Sequence, residues 1–354
     1  MKMSEFFPIY RSFTLRLYNM RRYSIIFLCY TNTLEVLIMT DKVCSTKPNT
    51  HLVKNNSLIN RLWRQRWLWM MVLPGILFVL VFNYIPMSGL ILIFRNASTF
   101  TGAFGNKWVG FDNFKFLQDP EFHQVFFNTI RIAFWKLVFT FIAPLVLALL
   151  LNEVTNLKFK RSVQTLTYLP YFISWVVVAG LFDHLLSVQT GIVNDFIKLF
   201  GAEPIFFLGD TKTFIPVIVV SAVWKTVGFS CIIYLASISS ISVELYEAAY
   251  SDGAGRLAQL RHITLPGIMP TITILLVLAA PSLVNAGFDQ IYLFQNPLNI
   301  KVSDIIESYV LRMGLGSGMY SYSAAIGILN SILSTTLLLL VNTISKRSGG
   351  SGIW

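Results

Sequence analysis

The chain has 354 residues, of which 55% are hydrophobic and 13% are charged, and its formal net charge is +11. Soluble domains carry about 25% charged residues, so this composition is typical of a protein of the lipid bilayer. Binding of nucleic acid is excluded as the reason for the positive charge, because the basic residues lie between apolar runs and not on one exposed face.

The first sixty residues, 1–60, form the least regular part of the chain. The apolar run from Ser24 to Met39 is short, and it contains Asn32 and Glu35, which are costly in hydrocarbon. No small-residue cleavage site follows it, which argues against a signal peptide. We expect a cytoplasmic segment, or an over-extension of a reading frame that starts at Met39; an amphipathic, partly inserted helix is the alternative.

Six apolar stretches follow within one predicted domain, 61–354. Each has the roughly 20 residues that a helix needs to cross a bilayer. They are predicted at 68–94, 127–151, 164–187, 214–239, 268–292 and 322–343. The third is the weakest, because Asp183 and His184 lie near its end. Internal prolines such as Pro170 and Pro281 predict kinks, which a helix bundle tolerates. The sequence therefore predicts an all-α integral membrane protein.

The distribution of lysine and arginine predicts the orientation of these spans. The segment before the first span, the second and fourth loops and the C-terminal tail hold thirteen Lys and Arg residues, whereas the other three loops hold seven. Positively charged loops stay in the cytoplasm. We therefore expect both termini on the cytoplasmic side of a multi-pass protein of the cell membrane.

The sequence contains no recognised motif for phosphate binding, hydrolysis or metal binding. There is no phosphate-binding G-x-x-x-x-G-K-[ST] loop, and the glycine-rich piece at 314–318 lacks the lysine. There is also no G-x-S-x-G elbow, H-E-x-x-H pair or carboxylate cluster. The three cysteines, Cys29, Cys44 and Cys231, are scattered and have no histidine near enough for a metal site. We expect neither an enzyme nor a bound cofactor or metal.

The informative segment is the long fourth loop, 241–267. Ser242 is suited to cap a helix, Glu244 lies in its positively polarised first turn, and Gly253 is suited to end it. A second short helix is predicted from Ala254 to His262, before Pro266 opens the next span.

The composition of this loop indicates a docking surface. Ala248 and Ala249 leave room for another protein's backbone, while Glu247 and Asp252 offer charge to basic groups of a partner. The alternative is an interfacial helix that lies among the lipid headgroups.

The loop resembles a known signature. Glu247, Ala248 and Ala249, then Gly253, then Ile263, Leu265 and Pro266 are similar to the EAA loop of binding-protein-dependent ABC importer permeases of the maltose-transporter type. The pieces at 84–87, 151–154, 168–175, 224–225, 288–291 and 352–354 resemble the LplB-like subgroup for oligosaccharides and polysaccharides. Two departures are visible: Val243 replaces a helix-starting proline, and Arg261 replaces a common aromatic residue.

This resemblance implies a fold and a set of partners. The fold would be that of a type I ABC importer permease, with six spans and both termini inside. The fourth loop would be a coupling helix seated in a separate ATPase. The partners would be a second homologous permease, two ABC ATPase subunits that use the ATP, and an extracellular sugar-binding lipoprotein.

A path for sugars needs aromatic platforms and side-chain amides or carboxylates. The candidates are Tyr171, Trp175, Asn285, Asp289 and Gln290, together with Lys225. Tyrosine and tryptophan near span ends also form interfacial belts, and Asp289 could simply reach water. Lys225 lies near the centre of the fourth span, where a charge indicates a cavity or a buried partner, and the sequence does not name that partner.

Three classes of function suit a membrane protein of this composition. An ion-coupled secondary carrier would need carboxylates near the midplane, and the spans contain almost none. A membrane enzyme would need a nucleophile or a metal set, which the sequence does not show. The ABC permease is favoured, with the sugar, its chain length and a possible sugar acid left open.

Overall fold

The computed structural model describes residues 66–98, 100, 102, 107–347 and 352. The predictions for residues 1–60 and for the last two residues lie outside this part of the chain. The chain separates into two units, Met1–Pro74 and Gly75–Trp354. The second unit contains every predicted site residue and is described below.

The described residues are almost entirely helical, as predicted. Five long helices are α1 (Arg66–Phe94), α2 (Pro120–Glu153), α6 (Phe214–Ser239), α8 (Arg256–Leu283) and α12 (Tyr320–Arg347). The shorter ones are α3 (Leu157–Tyr168), α4 (Trp175–Leu186), α5 (Ile192–Leu199), α7 (Val243–Ser251), α9 (Phe288–Phe294), α10 (Ile300–Ser303) and α11 (Ile306–Leu311).

The five long helices are long and apolar enough to cross a membrane. The predicted third span, 164–187, differs, because α3 and α4 meet at a bend of 106°. Counting this bent pair as one span gives six. The expectation of a single kinked helix there is corrected to two helices with a break between them.

The break between α3 and α4 has a local cause. Pro170 has no backbone N–H, and the chain runs through a 3₁₀ turn at Leu169–Phe172. Ser174 then starts α4 by accepting a hydrogen bond from the amide of Val177 at 3.4 Å. An N-cap residue has extended backbone angles, so the two helices cannot share one axis.

The predicted fifth span, 268–292, is also corrected. Helix α8 ends at Leu283, after a 3₁₀ turn that contains Pro281. Gly287 then takes a left-handed conformation, with φ 92°, and α9 begins after it. Glycine adopts this conformation without steric cost, so the chain can turn here. Asn285, Asp289 and Gln290 therefore lie beyond the span and not within it.

Helix α2 is longer than the predicted 127–151. It starts where Asp119 caps it by accepting from the amide of Glu121 at 3.0 Å, with Pro120 at its first position. At 1.5 Å per residue, a helix of 34 residues is about 51 Å long. It exceeds the roughly 30 Å hydrocarbon core, so its ends project beyond the core.

The loops of the second unit meet in two groups. Gln124 donates to the carbonyl of Lys301 at 2.6 Å, and Asn299 donates to the carbonyl of Leu208 at 2.8 Å. In the sequence these residues fall in the three segments that the charge pattern assigns to the outside, and in the structure Gln124 lies in the N-terminal part of α2. In the other group, Arg256 of the fourth loop lies 4.0 Å from Glu153 at the end of α2. The grouping agrees with alternating sides, while the absolute orientation stays a prediction.

Candidate functional site

The fourth loop begins with α7, which starts at the predicted cap. The hydroxyl of Ser242 accepts a hydrogen bond from the amide of Glu244 at 3.3 Å. This satisfies one of the amides that the first turn of a helix leaves without a partner. The carboxylate of Glu244 lies in the same turn, where the helix dipole favours negative charge.

The end of α7 is a Schellman motif centred on Gly253. The amide of Ala254 donates to the carbonyl of Ala249 at 2.8 Å, and the amide of Gly253 donates to the carbonyl of Tyr250 at 3.0 Å. Gly253 has a φ of 78°. The prediction that a left-handed glycine ends this helix agrees with the backbone.

The predicted second loop helix, Ala254 to His262, is corrected. Residues Arg256–Gln259 form the first turn of α8, and a π turn at Leu260–Thr264 carries the helix on into the next span. Pro266 lies inside the continuous helix, because the wider π turn accommodates a proline that cannot donate a hydrogen bond. Gly253 therefore joins α7 directly to a spanning helix.

One face of α7 contacts the N-terminal part of α8. The hydroxyl groups of Tyr246 and Thr264 lie 3.0 Å apart. A Cβ atom on Gly267 would lie 2.6 Å from Cδ1 of Ile241, so the two ends of the loop are in close contact. Leu265 and Ile241 pack against the buried cluster around Leu151 and Tyr234. The loop is thus tied to the membrane-spanning core.

Much of the surface of α7 that does not contact α8 is open. Val243 is 67% exposed and Tyr250 is 79% exposed. The polar residues at Glu247 and Asp252 are exposed as well, and so is Ala248. Ala249, Ile263 and Leu265 are half-buried, and Pro266 is exposed. An exposed apolar face rimmed by charge is typical of a protein interaction site.

The second group of predicted residues lies at the break between α3 and α4. The ammonium group of Lys225 donates to three backbone carbonyls: Pro170 at 3.3 Å, Tyr171 at 3.0 Å, and Ile173. Lys225 is buried, with 7% of its surface exposed. The partner of Lys225, which the sequence does not identify, is therefore the set of backbone carbonyls at the break between α3 and α4.

Two aromatic rings face this ammonium group. Its nitrogen lies 5.4 Å from the ring centroid of Trp175 and 5.8 Å from that of Tyr171, within the range of cation–π attraction. Tyr171 also stacks on Phe229, with centroids 3.9 Å apart. Tyr171 is 39% exposed, so one part of this platform is open. The structure thus brings together Tyr171, Trp175 and Lys225.

The other three predicted path residues make different contacts. Asn285 is exposed and bonds to Ser334 and Asn330 of α12, at 3.2 and 2.8 Å. Asp289 is exposed. Gln290 is only 1% exposed, and its amide donates to the carbonyl of Ile218 and the hydroxyl of Ser221. In this conformation the side chain of Gln290 does not face open space, whereas Asn285 and Asp289 are exposed.

An apolar groove of about 960 Å³ runs between α2 and α6. Arg131 and Lys212 contribute to its lining, beside Trp135 and Trp224. The six predicted path residues are not among those that line it. The groove therefore adds no support to the predicted path.

An ion-pair cluster that the sequence does not predict lies at the start of α2. Arg312 pairs with Asp304 and, at 3.0 Å, with Glu121 at the start of α2. Although burial by itself lowers the pKa of Arg312, the two carboxylates outweigh it and raise that pKa. Glu121 lies 191 positions before Arg312, and no local pattern of residues indicates a contact over such a separation.

The spanning helices define a multi-pass membrane protein, and its fourth loop exposes a capped helix. A model of the family "Binding-protein-dependent transport system inner membrane component" matches residues 140–349. The chain belongs to this family. It is a permease subunit of the cell membrane and not an enzyme, as the EAA-loop resemblance indicated.

Relatives along most of the chain support the assignment. Protein LplB of Bacillus subtilis (strain 168) is 42% identical over 85% of this chain and 95% of its own length. The polygalacturonan/rhamnogalacturonan transport system permease YteP of the same organism is 40% identical, over 85% and 94%.

A solved structure shows the same fold. A chain of a bacterial ABC transporter involved in the import of the acidic polysaccharide alginate is 38% identical to this one, with a TM-score of 0.77. The match covers 82% of this chain and 98% of that chain. The type I importer fold implied by the resemblance is confirmed.

Proposed function

We propose that this chain is the permease subunit of an ATP-driven carbohydrate importer, with an oligosaccharide or polysaccharide as cargo. The observation that carries the proposal is the fourth loop: a capped helix ends at a left-handed glycine, is tied to α8 by Tyr246 and Thr264, and presents an open apolar face. Movement of a docked partner would pass through this short connection to a spanning helix.

The site residues take two roles in this proposal. Glu247, Ala248, Ala249, Asp252 and Gly253 form the docking surface for an ATPase. Ile263, Leu265 and Pro266 join that surface to α8. Tyr171, Trp175, Asn285 and Asp289 contact cargo during passage, while the burial of Gln290 argues for a structural role in this state.

The proposed assembly contains four kinds of partner. They are a second homologous permease, two ABC ATPase subunits, an extracellular sugar-binding lipoprotein and the surrounding lipid. ATP is bound and hydrolysed by the ATPase, so the proposal assigns this chain no cofactor. One solved relative, 37% identical, is part of an alginate transporter in complex with an alginate pentasaccharide-bound periplasmic protein, which supports a binding-protein partner.

The chemical class of the cargo is inferred from relatives. YteP is named for polygalacturonan and rhamnogalacturonan, and AraP of Bacillus subtilis, 29% identical, for arabinooligosaccharides. The aromatic rings of Tyr171 and Trp175 suit the apolar faces of sugar rings. These observations support saccharides as a class and leave the individual sugar open.

The test is reconstitution of the full transporter in vesicles with its partner ATPase, second permease and binding protein. Oligogalacturonates, alginate oligosaccharides and neutral arabinooligosaccharides are then compared for uptake and for stimulation of ATP hydrolysis. We expect one saccharide class to be imported only with ATP and the binding protein. Uptake driven by an ion gradient without the ATPase would instead support a secondary carrier.

A further inference from the structure

We propose that Lys225 is a positioning residue: it holds the break between α3 and α4 in its bent form and so sets the orientation of Tyr171 and Trp175. The effect on the bend stands on the geometry alone, while the effect on transport rests on the proposed function. This assigns Lys225 a role different from direct contact with cargo.

The first argument concerns the carbonyl groups at the break. The last carbonyls of a helix have no intrahelical donor. In a bilayer no water is available to replace that donor, and each unsatisfied group costs several kcal/mol. Lys225 supplies donors from a neighbouring helix, since its ammonium group bonds to the carbonyls of Tyr171 and Ile173. It also bonds to that of Pro170, which in addition accepts from the amide of Ile173 at 3.2 Å. The carbonyl groups at the bend therefore gain hydrogen-bond donors, and the buried ammonium group gains acceptors.

The second argument concerns the number of N–H donors on the Lys225 ammonium group. A lysine ammonium group has three N–H donors and no acceptor. Three carbonyls occupy them, and the residue is 7% exposed. No donor remains for a hydroxyl or carboxylate of a passing sugar. Lys225 acts on cargo through the two rings that its charge faces.

The third argument is the close approach of α6 to the end of α3. A Cβ atom on Gly228 would lie 2.1 Å from the carbonyl oxygen of Thr167. Only glycine permits this approach of the two backbones. Gly228 follows Lys225 by three positions, so both lie on the same face of α6. The glycine brings the helix near the break, and the lysine then reaches its carbonyls.

The test of the bend uses two spin labels, at Lys158 in α3 and His184 in α4, in a chain whose native cysteines are replaced. Both positions are exposed. A straight helix between them would measure about 39 Å, and the bend shortens this distance. The assembled transporter is compared with its Lys225→Met, Lys225→Arg and Lys212→Met variants.

We expect Lys225→Met, which has similar volume and no donor, to lengthen and broaden the distance distribution. Lys225→Arg keeps donors that reach the carbonyls, so its distribution should stay near that of the parent chain. Lys212→Met removes the same charge just before α6, at an exposed position with no contact to the break, and should change nothing. A parent-like distribution in Lys225→Met would overturn the proposal.

Uptake provides the second readout. Loss of hydrogen bonds to a charged group predicts a fall of about tenfold or more in the uptake rate of Lys225→Met, with partial rescue in Lys225→Arg. Gly228→Ala keeps the lysine but separates the helices, and should lengthen the spin-label distance as well. If the parent transporter imports no saccharide, the proposed function fails, yet the distances still decide the role of Lys225. Equal rates in Lys225→Met and the parent would contradict that role.

Discussion

Gly253 lies at the turn between α7 and α8, in the loop that we propose couples to the ATPase. A Cβ atom there would meet no atom within 4 Å, so a side chain causes strain through the positive φ and not through a clash. We expect Gly253→Ala to cost about 1 kcal/mol of loop stability. Gly253→Asp should be worse, because it adds a second carboxylate beside Asp252 on the docking surface.

The measurement for Gly253 is co-purification of the ATPase at matched membrane levels, together with uptake. Gly255→Ala is the matched control, because Gly255 has an ordinary φ of −70° and is equally open. Gly253→Asp should lose ATPase and transport together, while Gly255→Ala keeps both. Full retention in Gly253→Asp would remove this loop from the coupling mechanism.

Trp175 and Asp289 carry the prediction for cargo. We expect Trp175→Ala and Asp289→Asn to lower uptake severalfold, because each removes a group that we propose contacts sugar, while ATPase binding stays unchanged. Trp135→Ala is the control, since Trp135 lies in the apolar groove between α2 and α6. Uptake at the parent rate in both variants would exclude these residues from the path.

Helix α7 depends on its N-cap for its start. Ser242→Ala removes the side-chain acceptor for the amide of Glu244 and should destabilise the helix by about 0.5–2 kcal/mol. Faster hydrogen exchange of the first amides of α7 would report this. Ser240→Ala is the control, because the hydroxyl of Ser240 donates to the carbonyl of Ser237 at the end of α6 and accepts from no amide of α7. Equal exchange in the two variants would show that the cap is not needed.

Three prolines have structural roles that differ from the predicted ones. Pro170 and Pro281 predicted kinks, but each instead lies in a 3₁₀ turn at which a predicted span breaks or ends. Hydropathy continues across both breaks, so it could not reveal them. Conversely, Pro266 was expected to start a helix and lies inside one, because a π turn precedes it.

The topology is a prediction about the whole molecule. Reporter fusions at Lys198 and Lys301 should locate these loops outside the cell, and fusions at Asn156 and Gly255 should locate theirs in the cytoplasm, since loops rich in lysine and arginine are retained inside. Contacts already group Lys301 with Gln124, at 2.6 Å. A cytoplasmic signal at Lys198 would contradict the predicted orientation.

By itself the sequence determined the class of protein. A segment that crosses a bilayer must be apolar and must satisfy its own backbone hydrogen bonds, so composition and hydropathy are enough to identify spanning helices. It also determined the α7 cap and its glycine end, since both depend on neighbouring residues. The tertiary structure decided the partner of Lys225 and the burial of Gln290. Those features depend on backbone groups 52 to 72 positions away, and one sequence carries no periodic signal for contacts at that distance.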